Sequence, residues 1–197
     1  MGLPRPLNIH QLSASLFPVK NGIQADRILL SNESSGAAPM PLTYVKGDAT
    51  KPLGTGNRII THCCNDLGFW NKGFVKALSR RWLEPERAYR SWAAGNERLP
   101  FALGNVQFVK VESGLCVANL IGQSGIATRH RTSPPIRYEA IRKGLIAVRV
   151  LALTHDASIH MPRMGAGLAG GQWERIAQIV QTELSDHELQ VTVYDLT

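Results

Sequence analysis

Ile59-Ile60-Thr61-His62-Cys63-Cys64-Asn65-Asp66-Leu67-Gly68-Phe69-Trp70-Asn71-Lys72-Gly73-Phe74 is the stretch whose reading decides the fold. Its first six residues, short and partly β-branched, read as a strand; a turn rich in Gly and Asn follows, and then a helix expected over 73–81. The same order returns in Ile159-His160-Met161-Pro162-Arg163-Met164-Gly165-Ala166-Gly167-Leu168-Ala169-Gly170-Gly171-Gln172-Trp173, with a helix expected over 171–184. Two strand-to-helix turns of one kind belong at the rim of a wound α/β sheet, where ligands collect. Glycines let backbone N–H groups approach an anion closely, and a helix N-terminus adds partial positive charge. Facing each other, two such turns form a cradle for a diphosphate.

Outward from these turns, strands are expected over 42–46, 58–64, 105–111, 115–120, 158–161 and 190–194, and helices over 73–81, 85–94, 135–153 and 171–184. Pro85 and Pro135 fall where a first helical turn tolerates a missing N–H, and Ile141, Leu145, Val148 and Ala152 recur at helical spacing. The pair of strands around Glu112-Ser113-Gly114-Leu115 reads as a hairpin inside the wound sheet. The alternation implies an α/β protein with a mixed sheet covered by helices on both faces. Residues 1–41, with Pro4, Pro6, Pro18 and Pro39, read as an extended arm that packs short segments such as Ile28-Leu29-Leu30 on the body formed by 42–197.

A length of 197 residues suits one domain with an appendage, and 44% hydrophobic with 19% charged residues is an ordinary soluble composition. No apolar run approaches the roughly 20 residues that span a bilayer. The opening residues lack an apolar signal core, and three cysteines, Cys63, Cys64 and Cys116, do not make a disulfide framework, so a reducing cytoplasm and a monomer are expected. A formal net charge of +7 favours polyanions, from nucleic acid to nucleotides and pyrophosphates. The basic residues are spread along the chain, with a local excess only at Arg129, His130 and Arg131.

Competing motifs fail in context. Gly165-Ala-Gly-Leu-Ala-Gly matches GxGxxG but lies too near the C-terminus to open a dinucleotide-binding half, and Gly54-Thr-Gly-Asn lacks the lysine and hydroxyl of a Walker loop. His62 and His160, one on each of two strands, lack a third ligand, so no metal or cofactor is expected. Cys63 and Cys64 read as buried, inert thiols.

Tyr44-Val-Lys-Gly-Asp48, His62-Cys-Cys-Asn-Asp-x-Gly-x-Trp-x-Lys-Gly, Leu120-Ile-Gly-Gln123, Pro135-Ile-Arg-Tyr-Glu139, His160-Met-Pro-Arg-Met-Gly-Ala-Gly-Leu168 and Val191-Thr-Val-Tyr194 together resemble macrodomains. The likeness covers about 42–196 and is nearest the branch of the chromatin-remodeller macrodomain, with a more distant likeness to terminal ADP-ribose protein glycohydrolase. It implies a three-layer α/β/α fold with a mixed, mostly parallel sheet, and a site for ADP-ribose or an ADP-ribosyl group on protein or nucleic acid. By that resemblance Asp48 accepts from the adenine amino group while Ala49 donates from its backbone; Tyr194 and Leu196 line the adenine pocket. A carboxylate there selects adenine over guanine. Asn65 meets the distal ribose. Gly68, Trp70, Lys72, Gly73 and Phe74 wrap that ribose and one phosphate, and Gly165, Ala166, Gly167, Leu168 and Ala169 bind the diphosphate. Packing beneath the loop is the competing reading for Trp70, free solvation for Lys72, and bracing by a salt bridge is the reading of Arg163.

The glycohydrolase likeness carries a departure. Gln123 and Ala169 stand where that enzyme has a catalytic lysine and aspartate, and neither side chain forms a Schiff base or acts as a carboxylate. Hydrolysis is therefore expected to use a positioned water, activated by the substrate phosphate or by Asp66 and oriented through Asn65; for Asp66 the alternative is a loop cap. Three functions follow: a hydrolase, a reader that binds without cutting, and a basic nucleic-acid-binding domain.

Overall fold

The computed structural model describes residues 16–17, 40–129 and 132–196. Six strands, β1 (Thr43–Lys46), β2 (Asn57–Asn65), β3 (Val106–Glu112), β4 (Leu115–Gln123), β5 (Ala157–Pro162) and β6 (Val191–Asp195), form one sheet in the order β1-β6-β5-β2-β4-β3. Helices α1 (Phe74–Arg81), α2 (Glu84–Ala93), α3 (Tyr138–His155) and α4 (Trp173–Glu183) cover it, making three layers. Each of these elements overlaps a segment expected from the sequence. All pairings are parallel except that of β3 with β4, the expected hairpin.

The period of two along each strand sorts the core into halves. On one face Ile59, Ile159, Met161, Val191 and Val193 pack against Ile141, Leu145 and Val148 of α3 and Ile176 and Val180 of α4. On the other, Ile60, Cys64, Val117 and Ile121 meet Val75 and Leu78 of α1 and Tyr89 and Trp92 of α2. Strand β4 lies between neighbours with both faces covered, and its residues from Leu115 through Gly122 are buried. Each fully buried aliphatic side chain contributes about 1.5–3 kcal/mol.

Two boundaries differ from expectation. Strand β4 runs on to Gln123, past the expected end at Leu120, and α3 starts at Tyr138, not at Pro135. One cause explains both: Gln123 and Ile136 form an isolated antiparallel bridge, and the Ser124 amide donates to Pro135 O at 2.9 Å. The backbone of Pro135 and Ile136 is therefore held against the end of β4 and starts no helix. Pro85, by contrast, sits in the first turn of α2 as its fixed φ favours.

Residues ahead of β1 also reach the core. Leu16 and Phe17 are buried within the α3–α4 half, Phe17 only 1% exposed, with its ring 5.1 Å from that of His155. Ile28–Leu30, the arm segment expected to pack on the body, lies outside the described residues. Among the described residues no helix is long and apolar enough to cross a membrane. Phe17→Ala empties a core site and is expected to cost roughly 3–5 kcal/mol, read as a lower urea midpoint at unchanged m-value.

Candidate functional site

Because β1, β6, β5, β2 and β4 run parallel, their carboxyl ends share one rim. Strand β2 delivers the chain to α1 on one face, and its neighbour β5 delivers it to α4 on the other. The two glycine turns thus diverge from adjacent strands, the arrangement that opens a crevice in α/β sheets. They come close to each other: a Cβ on Gly73 of the first turn would stand 3.7 Å from Leu168 Cδ1 of the second, and Asn71, Lys72 and Leu168 line one cleft. Gly73 itself, the residue before α1, has φ 79 and ψ −147, a conformation that essentially only glycine adopts.

Both turns leave amides unspent. In the second, Gly170 N donates to Gly167 O and Gly171 N to Gly165 O, each at 2.9 Å, closing the turn on itself. Among the described residues the amides of Gly165, Gly167, Leu168 and Ala169 donate to nothing, nor do those of residues 70–75 at the start of α1. Free N–H groups at a helix N-terminus are donors suited to phosphate oxygens.

Beside these turns is a cleft of about 300 Å³. Cys63, Cys64, Asn65 and Gln123 come from the ends of β2 and β4; Phe69, Asn71, Lys72 and Val75 from the first turn and α1; Leu168 from the second turn; Ile126 and Ala127 from the β4–α3 connection. Among the described residues lining it, Lys72 carries the single full charge, and no carboxylate or imidazole takes part. Burial pushes the Cys63 thiol up to about 12 and the Cys64 thiol well above the usual range, so both stay protonated.

Asn65 is heavily engaged. Its Oδ1 accepts from Leu67 N at 3.0 Å and Phe69 N at 3.1 Å, and its Nδ2 donates to Phe69 O at 2.6 Å, which leaves one N–H on a side chain lining the cleft. Asp66 points elsewhere: its Oδ1 accepts from Gly125 N at 2.6 Å, tying the first turn to the β4–α3 connection, and it is not among the cleft-lining residues. Trp70, placed by sequence among the ligand contacts, is 2% exposed beneath the loop, with Nε1 donating to Ser79 Oγ at 2.7 Å. Ser79 in turn donates to Glu86 Oε2 at 2.7 Å on α2.

At the other end of the rim, Asp48 Oδ1 accepts from Thr50 N at 2.9 Å and Thr50 Oγ1 at 2.8 Å, so one carboxylate oxygen shapes the turn after β1. Ala49 is buried, and Leu196 stands 83% exposed. The Tyr194 hydroxyl accepts from Leu53 N at 2.8 Å and faces His160 Nδ1 at 3.0 Å, while its ring lies under Gly47. Arg163 braces the base of the second turn: it pairs with Asp195 at 2.5 and 2.8 Å, and its guanidinium packs on the rings of Tyr44 and Trp173. That pair holds the Asp195 carboxyl below its ordinary range.

The histidines are structural in their geometry. Asn119 Nδ2 donates to Pro85 O and to Gln107 Oε1, so its Oδ1, 2.7 Å from His62 Nε2, receives that ring's N–H. Burial drops both His62 and His160 to about 4, and among the described residues no three candidate ligands gather to hold a metal. Sequence reasoning missed the polar struts under the site. Tyr89, fully buried on α2, donates to the Asn65 carbonyl, and neither residue type nor spacing signals a contact across 24 positions.

A six-stranded α/β/α sandwich with a crevice between two glycine turns at its carboxyl rim is the class that fold and site define. No protein-family model matches the chain. Among solved structures it is similar to a Streptomyces coelicolor macrodomain protein, 48% identical over 79% of this chain and 99% of that one with a TM-score of 0.70. It is also similar to a Bacteroides thetaiotaomicron protein of unknown function, 55% identical over 80% and 99% with a TM-score of 0.76. A curated relative, the Danio rerio chromodomain-helicase-DNA-binding protein 1-like, is 28% identical over 172 residues, 84% of this chain but 16% of its own length. The chain therefore spans about a sixth of such relatives, the Mus musculus counterpart being covered over 17%. The chain belongs to the macrodomain family.

With folded-state values near 4 against an unfolded 6.5, His62 and His160 bind protons more readily in the unfolded chain. Their contribution to stability is complete above about pH 6.5 and is lost as pH falls toward 4. Melting temperature at constant ionic strength is expected to drop across that window, and the drop is expected to be smaller in His160→Gln.

Proposed function

We propose that the rim binds ADP-ribose or an ADP-ribosyl group carried by protein or nucleic acid, and that the cleft hydrolyses the ADP-ribosyl linkage. One observation carries this reading: two neighbouring turns hold unspent amides beside a cleft sized for a sugar. In it, Asp48 and Ala49 take the adenine edge near Tyr194 and Leu196. The amides of Gly165, Gly167, Leu168 and Ala169, with those at Gly73 and Phe74, take the diphosphate, while that of Ala166 donates to Arg163 O and shapes the turn between them. The free Nδ2–H of Asn65 reaches the distal ribose, with Gly68 behind it and Lys72 at the mouth. A curated ADP-ribose glycohydrolase of Bos taurus, 33% identical over 72 residues covering 36% of this chain and 47% of its own, supports the chemistry. The Trypanosoma brucei macrodomain solved with ADP-ribose, 18% identical over 79% of this chain and 63% of that one with a TM-score of 0.54, shares the fold.

Among the described residues, no side chain lining the cleft serves as a general base at neutral pH, since the thiols are held protonated and the amides of Asn65 and Gln123 do not titrate. In this reading an oxygen of the substrate's own diphosphate acts as the base and holds a water against the anomeric carbon, while Asn65 fixes the sugar. Asp66 enters as the tie that keeps the first turn and the β4–α3 connection together. The lack of a base among the described cleft residues favours a second reading, a module that binds ADP-ribosylated targets and leaves them intact.

Calorimetry tests the ligand. ADP-ribose is expected to bind more tightly than AMP, with GMP weaker than both; no heat with ADP-ribose at millimolar concentration overturns the reading. Release of ADP-ribose from modified substrate separates enzyme from reader. Asp66→Ala, which removes a charge-assisted bond of about 1.5–3 kcal/mol, is expected to cut kcat/KM at least tenfold. Asp66→Asn keeps an oxygen for Gly125 N and is expected to retain most of the rate. Equal loss in both variants makes Asp66 the base.

A further inference from the structure

Strand β2 changes register against β4 between Cys64 and Asn65, so that Asn65 faces Gln123 where regular pairing would give Gly122. At this irregularity the Asn65 carbonyl accepts from the hydroxyl of Tyr89, a side chain of α2 with no solvent exposure. The carboxamide of the same residue organises the first turn and keeps one N–H at the cleft. Burial raises the Tyr89 phenol far above its usual range, so it remains an O–H donor at any pH the fold survives. A second strut runs in parallel from Trp70 through Ser79 to Glu86, also on α2.

We propose that Tyr89, which does not line the cleft, is the positioning residue for Asn65: its hydroxyl fixes the β2 irregularity and thereby aims the carboxamide at the distal ribose. This rests on the ADP-ribose reading of the cleft. Helix α2 packs directly on the first turn, its Ala93 against Gly68 and its Tyr89 ring 5.2 Å from that of Trp70, and through Asn65 it bears on the distal-ribose end of the ligand. Rotation of the Asn65 peptide without the Tyr89 bond swings its side chain, because Oδ1 and Nδ2 are tied to a turn that pivots on that peptide.

The test compares two ligands. AMP carries the adenine, its ribose and one phosphate but lacks the distal ribose, so it reports on the rim without Asn65. Tyr89→Phe is expected to weaken ADP-ribose roughly five- to tenfold, the worth of one hydrogen bond, and to leave AMP within about twofold. Added to Asn65→Ala, the change is expected to cost nothing further, because the pair acts as one unit. Ser79→Ala, which cuts the parallel strut, is expected to show the same selectivity for ADP-ribose, and serves if Tyr89→Phe does not fold. Equal weakening of both ligands, or of neither, overturns the positioning role while the ligand assignment stands. Wild-type protein that binds neither nucleotide overturns that assignment and this inference with it.

Discussion

Parallel pairing of β2 with β5, in register from Asn57 opposite Ala157 to Ile60 opposite His160, is the constraint on which the rest of the molecule depends. Two neighbouring strands that point the same way must release their turns at the same edge. Their following helices lie on opposite faces, so the turns part and leave a crevice between them. Antiparallel pairing at this position would send one turn to the far edge. The glycines, the helix N-termini and Asn65 are effective only because this pairing brings them to one place.

Much of the rim's polar chemistry is spent holding the rim together. Asn65 uses both lone pairs of its amide oxygen and one N–H on its own turn, Asp66 ties that turn to Gly125, and Arg163 joins the second turn to β6 through Asp195. This spending reduces the motion a ligand must freeze, and with it the ordering cost of binding. What remains for a ligand is mostly backbone N–H, which carries no titratable charge and so varies little with pH.

The fold was legible because hydrophobic period and turn chemistry agreed all along the chain. Ile141, Leu145, Val148 and Ala152 at helical spacing, and the glycine turns after Met161 and Cys64, mark elements that the structure contains. The start of α3 was not legible, since Pro135 suits a first helical turn locally and only its bridge to Gln123 assigns it elsewhere. Within the site, the residues at the ends of strands could be found from sequence because strand ends announce themselves. Their supports could not: Tyr89, Ser79 and Asn119 reach their partners across 24, 9 and 57 positions, and their side chains look like ordinary core or helix surface. Trp70 shows the converse, an aromatic residue of the first glycine turn that is buried beneath it.

Leu16 and Phe17 give the molecule a seam. They are separated from β1 by more than twenty residues, yet they complete the interior between sheet and helices. They form a plug that the chain delivers ahead of the sheet, and this half of the core is complete only with them. Loss of that plug would bare a greasy socket between sheet and helices, and the damaged molecules would tend to stick to one another there.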